Sequence, residues 1–147
     1  MAMTKEEKIK KVIIAGITNG PYDWVILADV PNKVANDVLA RFGYNIKGYK
    51  FVLESTSVKH IYSRHGACSN DRIKLIARDF AKLPNILANP DKITKGGLLK
   101  QNNLPTLLFK KRIGEKYVYV SLCDIRNRRG SLSVYSFRKR TQKKTTK

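Results

Sequence analysis

Hydrophobic positions along this chain follow two regimes, clustered at helical spacings before residue 90 and alternating with polar positions after residue 105. In the first regime, residues 12–17 (VIIAGI) predict a strand ended by Thr18, Asn19, Gly20 and Pro21, and residues 24–30 (WVILADV) predict a second. A helix follows, with Asn32 as N-cap, Val34, Val38, Leu39 and Phe42 on one stripe, and Gly43 as the stop. Residues 49–53 read as another short strand. Ser57 then caps a helix over 58–65, closed by Gly66, whose apolar stripe is Val58, Ile61 and Tyr62 with His65 on the same side. His60 and Arg64, four apart, share its polar face. A further helix, capped by Ser69, is expected to bury Ile73, Ile76, Ala77 and Phe80 and to break at Leu83-Pro84. One more turn covers 85–88 before Asn89-Pro90-Asp91 reverses the chain.

The second regime has period two. Residues 106–112, 116–123 and 131–137 predict three strands, joined by a turn at 113–115 and a basic loop at 124–130. Alternation puts Lys110 and Lys111 on opposite faces, and places Ser133, Tyr135 and Phe137 opposite Leu132, Val134 and Ser136. The fold class is therefore α+β, with N-terminal strands and helices packed on a C-terminal antiparallel β-sheet. Residues 1–43 form an N-terminal strand and helix segment of the same domain, and 44–137 form its core. Residues 138–147 are a basic tail without an apolar side chain, expected to be disordered.

The 147 residues carry 30 Lys plus Arg against 11 Asp plus Glu, a formal charge of +19. A length near ~150 fits one domain. Thirteen basic and two acidic residues lie in 110–147, so the last 38 residues carry most of the net charge, which selects polyanions and nucleic acid first. No amphipathic basic helix points to a membrane surface, no signal-like apolar run precedes the first basic cluster, and the cytoplasm of a host or target cell is the expected location. Cys68 and Cys123 are isolated thiols without metal or disulfide spacing.

The carboxylates are few and scattered, with no pair spaced to hold a metal, so neither metal nor cofactor is expected. Metal-free cleavage of nucleic acid is easiest where the 2′-hydroxyl of RNA attacks its own phosphate and the protein supplies acid, base and positive charge. The two histidines are the natural proton carriers. A five-residue step on a helix turns by about 140°, so His60 and His65 point apart; periodicity favours His60 as the exposed, functional one, next to Arg64. Ser136 is a candidate phosphate contact, and Tyr135 lies on a strand interleaved with Lys and Arg.

The order Ile46-x-Gly48-Tyr49, Ser57-x-x-His60-x-x-x-Arg64-His65-Gly66, Asp79-Phe80-x-x-Leu83-Pro84-x-Ile86-x-x-Asn89-Pro90-Asp91, Phe109-Lys110-Lys111-x-Ile113-Gly114 and Val134-x-Ser136-Phe137 resembles the phage and polymorphic-toxin nucleases of the barnase, EndoU, colicin and RelE-like superfamily. The resemblance spans about residues 44–138. It implies two N-terminal helices on a four-stranded antiparallel sheet and a metal-independent endoribonuclease. Its catalytic groups would be His60, with His65 as second, on the helical part, Lys110 or else Lys111 on a strand, and Ser136 on the last strand. Arg64, Lys111, Tyr135, Arg126, Arg128 and Arg129 would contact substrate. The partners implied are an RNA, tRNA included, and an acidic inhibitor or immunity protein. The competing reading is a basic nucleic-acid-binding protein without catalysis.

Overall fold

A computed structural model describes residues 3–66 and 73–141. The first element is a helix, α1 (Lys5–Ile17), and not the expected strand at 12–17. Thr4 accepts from the Glu7 amide and Glu7 accepts from the Thr4 amide, which starts the helix upstream of the β-branched run. Ile9, Val12, Ile13 and Gly16 then form a buried stripe at helical spacing, and burial of that stripe overrides the local strand preference of Val and Ile. Strand β1 (Trp24–Asp29) and helix α2 (Asn32–Phe42) follow as expected, except that Pro31 occupies the cap position and Asn32 is the first helical residue. Gly43, at φ +79°, closes α2 in the left-handed region.

Strand β2 (Lys50–Glu54) runs directly into α3 (Ser55–His65), so the helix begins two residues before Ser57. The expected cap Ser69 and the thiol Cys68 lie outside the described residues. Residues 74–76 are not helical, because the Leu75 amide bonds the His65 carbonyl at 2.6 Å and draws the chain straight. Helix α4 is therefore only Ala77–Phe80, with Leu75 and Phe80 buried while Ile76 and Ala77 are exposed. Leu83-Pro84 opens α5 (Leu83–Ala88), since a proline in the first turn lacks only a donor that has no partner there.

Four strands complete the chain: β3 (Lys92–Leu98), which the hydrophobic pattern does not announce, β4 (Pro105–Ile113), β5 (Tyr117–Arg126) and β6 (Ser131–Thr141). With β1 and β2 they make a six-stranded sheet in the order β1-β2-β6-β5-β4-β3, antiparallel throughout except between β2 and β6. This is an α+β fold with a wider sheet than four strands. One sheet face, carrying Phe51, Leu107, Phe109, Val134 and Phe137, joins the helical stripes in a single core. The opposite face is left open. Among the described residues, no helix is long and apolar enough to cross a membrane.

Two departures on β6 reposition residues that matter. Leu122 pairs with Ser136 but Cys123 pairs with Val134, so Tyr135 is an extra residue in a bulge. The bulge turns Phe137 to the core face beside Leu132 and Val134, and leaves Ser133 and Ser136 together on the open face. The strand also continues through Thr141, so Arg138, Lys139, Arg140 and Thr141 belong to the sheet and not to a tail. Residues 142–147 of the expected tail lie outside the described residues.

Candidate active site and nucleic-acid face

Register decides which cations face outward. Directly opposed residues in antiparallel strands share a face. Lys110, Val120 and Arg138 form one row across the open face, and Leu108, Leu122 and Ser136 form the next. Lys111 is on the core face, where its ammonium donates to the Asn89 carbonyl at 2.6 Å and lies 3.6 Å from an Asp91 carboxylate oxygen. Of the expected pair, Lys110 shares the face of Ser136 and Lys111 ties β4 to the start of β3. Lys110 and Ser136 stand two strands and one row apart, about 12 Å between Cα positions at ~4.8 Å per strand and ~3.4 Å per residue.

The histidines separate as helical geometry requires. His60 and Arg64 are both exposed on α3. Strand β2 ends at Glu54, its pairing with β6 stops at Ser133, and α3 lies alongside the rest of β6. There the His60 ring meets the bulged Tyr135, with centroids 6.5 Å apart and planes tilted by 55°. The Tyr135 hydroxyl accepts from the Gln101 side-chain amide at 3.2 Å, across from the β3–β4 connection. His65, half-buried at the end of α3, lies on a different side of the helix. The structure thus brings the His60 ring to Tyr135, with Arg64 one turn farther along α3 and Ser136 next to Tyr135 in β6.

Farther along β6 the same face holds a partly buried polar group of which the sequence singled out only Arg126. The Glu54 carboxylate accepts from the Tyr22 hydroxyl at 2.6 Å, from Ser133 at 3.2 Å and from Arg126 at 3.3 Å. Arg126 also donates from Nε to Asp124 at 3.1 Å. Asp124 is 1% exposed and its Oδ1 has no partner. Burial therefore pushes its carboxyl above the ordinary range, against the opposing pull of Arg126. Arg126 is thereby held between two carboxylates, whereas Arg128 and Arg129 are exposed on the 3-10 turn Asn127–Arg129. That turn is anchored by a 2.8 Å bond from the Tyr49 hydroxyl to Asn127. The available signal was scarcity: with 11 carboxylates in the chain, one at a strand end and one beside a basic loop stand out.

The cations thus sort into two groups. Lys111, Arg126 and Lys139 are engaged by carboxylates. No ion pair among the described residues involves Arg64, Lys110, Arg128, Arg129 or Arg138, and these are the groups free to meet phosphate. Also among the described residues, no cluster of three His, Cys, Asp or Glu side chains is arranged to hold a metal.

No curated protein and no solved structure matches the chain. A family model does, over residues 29–147, which includes the His60–Tyr135 junction and every strand of the sheet except β1, of which it takes only the last residue, Asp29. The protein belongs to the PBECR3 family, described as phage-Barnase-EndoU-ColicinE5/D-RelE like nucleases.

Proposed function

We propose that this protein is an endoribonuclease that cleaves by 2′-hydroxyl transphosphorylation without a metal. The observation that carries the reading is the meeting of His60 on α3 with Tyr135 on β6, the residue before Ser136. An in-line displacement needs proton carriers on opposite sides of phosphorus, and the ring contact puts an imidazole and a phenol at one place. His60 takes the proton from the 2′-hydroxyl as its oxygen bonds to phosphorus. The phosphorus–O5′ bond breaks, and the departing oxygen takes the proton of Tyr135, whose hydroxyl the Gln101 amide holds in place. Arg64 and Arg138, with Lys110 farther along, offset the charge on the phosphorane, and the Ser136 hydroxyl donates to a phosphate oxygen. His65 and Lys111 position structure and take no part in proton transfer.

Purified protein incubated with RNA in EDTA should yield fragments ending in 2′,3′-cyclic phosphate and 5′-hydroxyl. His60→Ala should lower the rate by roughly 10²- to 10⁴-fold, the range of a general acid or base, and Tyr135→Phe by a comparable factor. Intact RNA, 3′-hydroxyl ends, or an undiminished His60→Ala rate would sink the proposal.

A further inference from the structure

The fold itself gives no reason for Trp24 and Tyr22 to be where they are. They are 54% and 58% exposed, at the outer edge of the open face, where burial would favour neither. Trp24 stands directly opposite Glu54 across β1 and β2, and the two aromatics wall a cavity of about 390 Å³. Glu54 and Ser133 line it from β2 and β6, and Arg129 from the β5–β6 connection.

The polar lining has a definite donor and acceptor pattern. Three of the roughly four acceptor positions of the Glu54 carboxylate are filled, by Tyr22 on Oε2 and by Arg126 and Ser133 on Oε1. One position on Oε2 remains. The Tyr22 phenol has spent its only proton on Glu54, and that bond, ahead of burial, raises it above its ordinary pKa and keeps the proton in place. Its oxygen offers lone pairs alone. The two oxygens therefore sit 2.6 Å apart with the one proton between them already committed, so both offer only lone pairs to a ligand, and the exposed, ion-pair-free Arg129 adds a fork of donors.

We propose that this cavity is a guanine pocket. Guanine presents two adjacent N–H donors, N1–H and N2–H, next to the acceptor O6 and its neighbour N7. The donors match Glu54 Oε2 and the Tyr22 oxygen, O6 and N7 match an arginine fork, and the ring stacks on Trp24. Adenine and cytosine place a ring-nitrogen lone pair beside their amino donor on that edge, and uracil flanks its single donor with carbonyls. Each would set an acceptor against an acceptor, a mismatch that a site built for hydrogen bonding rejects strongly. The inference rests on the ribonuclease reading for its purpose, selection of a guanosine next to the cut, but base recognition can be measured without turnover.

Trp24 is the only tryptophan in the chain, so its emission reports on this cavity alone. The full-length His60→Ala protein, titrated with 3′-GMP, 3′-AMP, 3′-CMP and 3′-UMP, should show Trp24 quenching by 3′-GMP. Calorimetry should give binding about tenfold tighter than for the other three, as for one bidentate base contact. Glu54→Gln should erase the preference. Arg129→Gln, on an exposed turn where folding is not at stake, should weaken 3′-GMP several-fold. Equal binding of all four nucleotides, Trp24 emission indifferent to 3′-GMP, or unchanged 3′-GMP affinity in Arg129→Gln would overturn the pocket. A protein that binds 3′-GMP at Trp24 and leaves RNA intact overturns the ribonuclease reading alone. Cleavage after all four bases alike, with Trp24 silent, overturns the pocket alone.

Discussion

Asp79 is 2% exposed and accepts from the Ile76 amide at 2.9 Å, the Tyr119 hydroxyl at 3.0 Å and the Lys139 ammonium at 2.9 Å. Those bonds fasten α4 to β5 and β6, which gives the Asp79-Phe80 pair in the motif of resemblance a structural role. Burial pushes its carboxyl up, but the Ile76 bond and Lys139 outweigh this and hold it below its ordinary value. Asp79→Ala leaves Lys139 and the Tyr119 hydroxyl buried without a counterpart and should cost about 3–5 kcal/mol, read as a lower urea midpoint at unchanged slope. The depressed carboxyl also fixes a sign. Its contribution is complete above the usual carboxylate pKa of about 4 and is lost as pH falls through the lower folded value. Asp124, raised by burial, runs the other way: its contribution is present in acid and is lost as pH rises through its folded value. Asp79→Asn should therefore flatten the acid side of the stability profile, and Asp124→Asn should leave that side in place.

Between elements, the closest approach that bears on the site is α1 against α3, which carries His60. A Cβ on Gly16 would fall 2.5 Å from the Val58 Cβ and 2.6 Å from the Ser55 carbonyl oxygen, a collision with backbone that no rotamer relieves. Gly16→Ala should destabilise by about 1–3 kcal/mol despite the better helix propensity of alanine, and thermal unfolding would show it as a lower Tm. This helix pair also marks where the sequence could and could not be read. Strands β4, β5 and β6 were legible because β-branched and aromatic residues crowd them between clear turn signals at 113–115 and 124–130. Helix α1 was not, because its cap at Thr4 precedes its first apolar residue and Val12-Ile13-Ile14 mimics a strand. Strand β3 was hidden by Gly96 and Gly97: the first exists so that Thr106 can approach, its Oγ1 lying 2.1 Å from where a Cβ would be. For the site, helical spacing exposed His60 beside Arg64, but the bulge at Tyr135 has no sequence signature and reversed the faces around Ser136. The sequence marked Arg126 but not its grouping with Glu54 and Tyr22, since that group joins residues 22, 54, 126 and 133 through long-range pairing alone.

For the whole molecule, the net charge of +19 does not say which cations an RNA strand would meet, because several of the 30 are paired with carboxylates inside the fold. Lys111 is held by Asp91, Lys139 by Asp79, and Arg126 by Glu54 and Asp124. Lys110 and Arg138 stand in one row of the open face with no carboxylate. Affinity for single-stranded nucleic acid falls with salt at a log–log slope of about −0.7 per phosphate neutralised, so the slope counts the cations that do the work. Measured on uncleaved RNA with the His60→Ala protein, Lys110→Ala and Arg138→Ala should each reduce the slope by about 0.7 and weaken binding alike for all sequences. Lys111→Ala should leave the slope unchanged and instead loosen the junction of β3 and β4, seen as faster amide exchange there, because it removes the tie to Asn89 and Asp91. Equal slopes for all three variants would mean that RNA lies elsewhere than along the open face.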